Sequence, residues 1–289
     1  MQYRHAPAAN HAALDAVLAS APGRPTLPVR LTVELAGRAR EHLPGDGPVT
    51  VWDPCCGAGA TLAVLGLLVP GITRLIGTDA DPDPLDLARR NLALLGPGGL
   101  AARAEELDAL AERYDKPGYA DAAAAARTLV PAGTPTWSVA VADARDTVAV
   151  RTALAAPPDA VPWPDTVPGA GSAPGPDGAS GPSTVSGPDG AGGPDLVLAD
   201  LPHGRRTTWA GLSPGADAPD PTHPCAAYAG HPEVGFLRAV ASVLRPDAVV
   251  VAVGRGRTVP LPPGVRPRER VRAGHRAAVL VRAEDLRSA

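Results

Sequence analysis

A chain of 289 residues with 45% apolar content can bury a sizeable core in one large domain or two small ones. No apolar run nears the roughly 18 residues of a membrane span, the stretch MQYRHAPAANHAALDAVLAS has no continuous apolar centre of a secretory signal, and Cys55, Cys56 and Cys225 share neither a disulfide framework nor a zinc spacing. A cytoplasmic protein without metal is the expectation, and a net charge of −3 offers no general attraction for nucleic acid.

The first 48 residues read as a lid of helix and loop, with RPTLPVRL leading to the first strand. That strand is VTVWD (49–53), marked by β-branched residues, and ATLAVLGLLV (60–69) is a helix stopped by Pro70. RLIGTD (74–79) is a second strand. DPLDLARRNLALL (83–95) is an amphipathic helix with Leu85, Ala88, Leu92 and Leu95 on one face. Residues 100–130 predict two helices broken at Pro117–Gly118, inserted between strand units. WSVAVAD (137–143), DLVLAD (195–200) and AVVVAVG (248–254) are three further strands, with the helix FLRAVASVL (236–244) before the last. RERVRA and AAVLVRA suit a closing hairpin. Such alternation predicts an α/β domain over 49–289, its mostly parallel sheet covered by helices on both faces.

Two stretches fall outside this pattern. Residues 156–195, rich in Pro, Gly, Ser and Asp, carry too little apolar surface to repay the entropy of ordering and predict a disordered insertion. Residues 213–232 read as a long surface loop. The first stretch holds five aspartates and no Lys or Arg, whereas Arg245 to the end carries ten arginines against four acids. The modest net charge therefore hides a basic tail able to bind phosphates, or simply a solvated arginine surface.

In open α/β sheets ligands bind beyond the carboxyl ends of the strands. Four of the predicted strands end in aspartate: Asp53, Asp79, Asp143 and Asp200. One such residue is an ordinary cap or turn former, but four on one rim are more than capping predicts. The first is followed by DPCCGAGA, whose Cys55, Gly57 and Gly59 form a tight turn bringing backbone N–H groups to a helix N-terminus. Leu62 stands where a dinucleotide fingerprint wants a third glycine, and Asp53 would repel a pyrophosphate. An ammonium and a sulfonium suit it better, which points to S-adenosylmethionine. Asp79, or Asp81 in its place, is positioned to accept ribose hydroxyls, and Asp143 the adenine amine.

The last of the four opens DLPHGRRTTW. DLPHG resembles the D/N-P-P-Y loop of methyltransferases that modify exocyclic base amines. Such an amine is a poor nucleophile because its lone pair is delocalised, so a carboxylate (Asp200) and a carbonyl fixed by Pro202 must orient it and draw off a proton. Taken with VWDPCCGAGATLAVLGLL, DADPDPLDLARRNLALL and the DKPGY break, the chain is similar over nearly its whole length to the avilamycin-resistance methyltransferases of large-subunit ribosomal RNA.

That resemblance implies a Rossmann-like class I methyltransferase fold, S-adenosylmethionine as donor, and a guanosine of 23S rRNA as target; a monomer acting on 23S rRNA or the large subunit is the expectation. His203 departs from the family's tyrosine and is expected to stack on a flipped base. Arg205 and Arg206 would hold flanking phosphates, and Trp209 would stack on a base or anchor the loop. Action on DNA adenine or a small molecule, or a non-catalytic RNA-binding or assembly role, are the other readings the residues allow.

Overall fold

Strand formation starts from the aliphatic runs. Val49–Asp53 (β1), Ile72–Asp79 (β2), Thr136–Val141 (β3), Leu196–Asp200 (β4) and Val249–Arg255 (β5) pair in parallel in the order β3-β2-β1-β4-β5. Arg276–Arg282 (β7) adds antiparallel to β5, and Glu269–Ala273 (β6) closes the edge against β7. The computed structural model describes residues 2–6, 12–19, 26–159, 193–202 and 231–288.

Successive strand residues face opposite sides of the sheet, and both sides here are apolar. Val51, Leu75, Leu198 and Val251 face one hydrophobic layer, while Trp52, Ile76, Val197 and Val250 face the other, each at most 2% exposed. Helices Val29–Arg40 (α2), Ala60–Leu68 (α3) and Leu85–Ala93 (α4) belong to the first layer, with Ala12–Val17 (α1), Gly99–Tyr114 (α5) and Pro117–Thr128 (α6) packed outside them. Thr147–Ala155 (α7), Pro232–Ser242 (α8) and Ala283–Arg287 (α9) serve the second. Among the described residues no helix is long and apolar enough to cross a membrane.

Local chemistry explains several boundaries. Pro117 occupies the first turn of α6, where a missing N–H costs nothing, and the break before it is made by Asp115 in the left-handed region. Asp146 caps α7 by accepting from Val148 and Ala149 N–H at 3.0 and 3.1 Å. The sequence pattern did not reveal α7 or α9, and α8 begins earlier than expected, at Pro232.

The segment ends are tied to the rest of the fold. Within the 1–48 stretch, α2 buries Val29, Leu31, Val33 and Leu35 in the central layer. Its Glu34 is fully buried and accepts N–H groups from Arg4, His5 and Ala6 at 2.7 to 3.0 Å, and Arg38 Nε at 2.7 Å. Burial alone would raise its pKa, but these donors outweigh burial and hold it down to about 2. The ends of the 156–195 stretch are also built into the sheet. Asp159 N–H donates to Trp137 O at 2.7 Å, and Asp195 accepts from Thr50 N–H and from Arg245, at 2.7 and 2.8 Å. Residues 160–192, and most of the predicted 213–232 loop, lie outside the described residues.

Candidate active site

From β1 the chain winds outward through β2 and β3 on one side, and β4 and β5 lie on the other. This places a topological switch point between β1 and β4, the crevice where doubly wound sheets bind ligands. Asp53 and Asp200 end the two strands that flank it.

The turn after β1 is shaped by two glycines. Gly57 has φ 50° with open space where a Cβ would stand, so that side of the loop can admit a ligand. Gly59 has φ 71° and caps α3, and a Cβ on it would lie 2.9 Å from Ala88 Cα and 3.2 Å from Ala88 O. One glycine opens the loop and the other lets α4 pack against it. Asp79, at the end of β2, accepts Gly57 N–H at 2.8 Å with one oxygen and Asp81 N–H at 3.0 Å with the other. The same carboxylate thus fixes the glycine turn and the turn after β2.

Asp53 is 2% exposed and accepts Cys55 N–H at 3.0 Å. Burial, seconded by the charges of Asp79 and Asp200, pushes its pKa well above the usual carboxylate range. The Cys55 thiol is likewise driven up by burial and then by Asp53, Asp79, Asp200 and Asp143. All four predicted acids therefore bear on one point beside the glycine turn. Asp143 is reached differently from expectation: β3 ends at Val141, and Asp143 lies in the turn that follows. There Arg145, itself 5% exposed, grips it through Nε at 3.0 Å and Nη2 at 2.7 Å.

Asp200 is met by Arg276, whose Nη1 stands 2.6 Å from Oδ1, with both side chains about 15% exposed. Arg276 belongs to β7 and also donates to Thr26 O at 3.3 Å, so it ties the rim carboxylate to the segment leading into α2. Leu201 N–H continues the ladder to Val253 O at 2.8 Å, and Pro202 begins the departure of the chain. His203, Gly204, Arg205, Arg206 and Trp209 lie outside the described residues.

Three residues here escaped sequence reasoning: Arg276, Arg145 and Asn91. Asn91 is fully buried on α4. Its Nδ2 donates to Ala58 O and Ala19 O, and its Oδ1 accepts Ala19 N–H, all at 2.8 Å. It staples the N-terminal segment to the glycine turn. An asparagine inside a helical pattern is the available signal, because burying it is tolerable only with its partners satisfied.

A glycine turn walled by acidic side chains disfavours a pyrophosphate and suits a nucleoside that carries positive charge. Among the described residues no group of three His, Cys, Asp or Glu side chains is arranged to hold a metal.

A family model described as rRNA methyltransferase AviRa matches residues 1–276. The chain is 40% identical over 294 residues to the 23S rRNA (guanine(2535)-N(1))-methyltransferase of Streptomyces viridochromogenes, covering 98% of this chain and 97% of that one. Two solved structures of the rRNA methyltransferase aviRa from the same organism are similar at 39% identity. One, at 1.5 Å, has a TM-score of 0.74 and covers 100% of this chain and 99% of its own. The other, at 2.4 Å, has a TM-score of 0.73 with coverage of 99% and 98%.

Proposed function

The chain belongs to the AviRa family of rRNA methyltransferases, and from that premise we propose that it methylates a guanine of 23S rRNA at N1, using S-adenosylmethionine. The carrying observation is the rim itself: a glycine turn surrounded by Asp53, Asp79 and Asp143, with Asp200 on the neighbouring strand across the switch point. Protection against avilamycin-type antibiotics, which the family resemblance implies, is part of the same proposal.

The residues fit the donor. Gly57 leaves room at the turn, Asp53 and Asp79 offer carboxyl oxygens toward its cationic and ribose ends, with a bound cation favouring the ionised form of Asp53, and Asp81 and Asp143 complete the acidic wall. When bound, S-adenosylmethionine supplies an electrophilic methyl group on a sulfonium. Cys55 contributes through the backbone of the turn, since its thiol stays protonated.

The N1 position in the relative's name changes the chemistry asked of Asp200. The ring N1 of guanine bears a hydrogen, and its lone pair becomes available for attack only as that proton leaves. A carboxylate hydrogen-bonded to N1–H draws the proton away, and the neighbouring exocyclic amine gives the same acceptor a second donor to hold. Arg276 fixes Asp200 in orientation. Pro202 rigidifies the turn that presents the backbone carbonyl before it. Roles for His203 in stacking, Arg205 and Arg206 on phosphates, and Trp209 at the loop are proposed from sequence position.

The test is methyl transfer to 23S rRNA with isotopically labelled donor, the product nucleotide being mapped by mass spectrometry. Asp200→Asn keeps the shape and loses the proton acceptor, so transfer falls roughly 10²-fold or more while affinity for S-adenosylhomocysteine holds. Unmodified 23S rRNA refutes the substrate assignment, and full activity of Asp200→Asn refutes the role of the carboxylate.

A further inference from the structure

The ten arginines from Arg245 onward divide into two sets. Arg245 pairs with Asp195 and Asp247, Arg268 with Asp285, Arg276 with Asp200 and Arg282 with Glu284, while Arg287 donates to Ala241 O. Arg255, Arg257, Arg266, Arg270 and Arg272 are all exposed, and their side chains make no hydrogen bond or ion pair among the described residues. The first set holds the fold together. The second has no structural duty.

Four of these five lie on β5 and β6 or just beyond the end of β5. Because β7 runs antiparallel to both β5 and β6, β5 and β6 run the same way, and their carboxyl ends lie on the rim that carries Asp200. Arg255 ends β5 directly opposite Arg276, the partner of Asp200, and Arg257 follows it. Arg270 and Arg272 sit on the edge strand opposite Val279 and Ala277, both on the face away from Arg255, which pairs with Arg276. Along a strand, residues two apart are about 6.8 Å from each other, comparable to the spacing of successive phosphates in RNA. The acid of that strand, Glu269, projects to the other face and is paired with Arg38 and Arg4. Arg266 precedes the opposite end of β6, away from the rim.

We propose that Arg270 and Arg272 form a phosphate-holding rail on the edge strand, leading to the rim that carries Asp200 and the Arg255–Arg257 end of β5, and that it receives the RNA backbone flanking the target guanine. This rests on the proposed 23S rRNA reading and adds where the substrate lies outside the reacting pocket. Guanidinium forks match phosphate oxygens in pairs, and among the described residues no strand pairs with the outer edge of β6. Among the described residues the exposed large apolar side chains, Tyr114, Val130, Val141 and Val148, lie away from β5, β6 and β7.

The experiment is fluorescence anisotropy of a labelled RNA stem-loop with the full chain across a KCl series, beside methyl transfer to 23S rRNA. Arg270→Ala with Arg272→Ala should weaken RNA binding roughly ten-fold or more at low salt, and cut the slope of log K against log salt by about 1.4–1.8 for two phosphates released. In turnover the loss falls on KM for RNA, while the melting temperature and S-adenosylhomocysteine affinity hold. Arg266→Ala should change little. An unchanged slope overturns the rail. So does an Arg266→Ala effect as large as that of the double variant, which would show diffuse charge, or selective binding of an acidic protein in place of RNA. A wild-type chain that binds RNA through these residues yet leaves 23S rRNA unmethylated would sink the substrate reading and leave the rail standing.

Discussion

Replacing Gly59 by alanine should strike stability and donor capture together, and the structure sets the size of the effect. An L residue in the left-handed conformation costs about 1–2 kcal/mol, and Gly59 has φ 71°. The new Cβ would also stand 2.9 Å from Ala88 Cα, 3.0 Å from its Cβ and 3.2 Å from its carbonyl oxygen, so α4 must shift. Overpacking of this kind costs about 1–3 kcal/mol more. Gly57→Ala is the control, because φ 50° imposes the conformational cost while nothing lies within 4 Å of the added carbon. At about 2–4 °C per kcal/mol for a chain of this size, the Gly59 variant should melt about 2–12 °C below the Gly57 variant. Scanning calorimetry reads this directly. Titration with S-adenosylhomocysteine should show the larger loss for Gly59→Ala, since a displaced α4 disturbs the Asn91 hold on Ala58. Equal melting temperatures, or a lower one for Gly57→Ala, would refute the close-approach argument.

Asp53 has a folded pKa raised above its unfolded value, so the folded state binds the extra proton and stability falls as pH climbs from the ordinary carboxylate range. Asp53→Asn should therefore raise the melting temperature of the donor-free protein near neutral pH, yet weaken donor binding by roughly 1–3 kcal/mol; a variant that melts lower would contradict the burial argument. Glu34 has the opposite sign. Its pKa falls from 4.5 to about 2 on folding, a contribution of about 3 kcal/mol that is complete above pH 4.5 and lost as pH falls toward 2. The stability gap between wild type and Glu34→Gln should shrink across that window in acid unfolding, and a gap independent of pH would dismiss the nest of N–H donors as its cause.

What the sequence disclosed and what it hid follow from range. Asp53 and Asp200 were legible because each terminates a β-branched or aliphatic run, a pattern complete within five residues. Pro117 announced the α5–α6 break for the same local reason. Arg276 was invisible, since its partner lies 76 positions away and nothing near it distinguishes one arginine from nine others. Asp143 was misplaced by two residues because Ala142 and Asp143 prolong an alternating pattern after the pairing with β2 has ceased at Val141. The acidic composition of 156–195 concealed two sheet-anchoring residues, Asp159 and Asp195, because average polarity hides single hydrogen-bonding partners.

The double duty of Arg276 carries a consequence for how the protein opens. Proteins unfold in cooperative pieces, and edge elements open at lower free energy than central strands. Here the outermost piece is the β6–β7 hairpin, while the glycine turn, Asp53 and Asp79 belong to the centre of the sheet. A partial opening confined to that edge would release Asp200 from its guanidinium and Thr26 from its donor, yet leave the nucleoside side of the crevice assembled. Hydrogen exchange would then show two thermodynamic compartments in one rigid-looking sheet, so that warming or mild denaturant should silence methyl transfer before it empties the donor site.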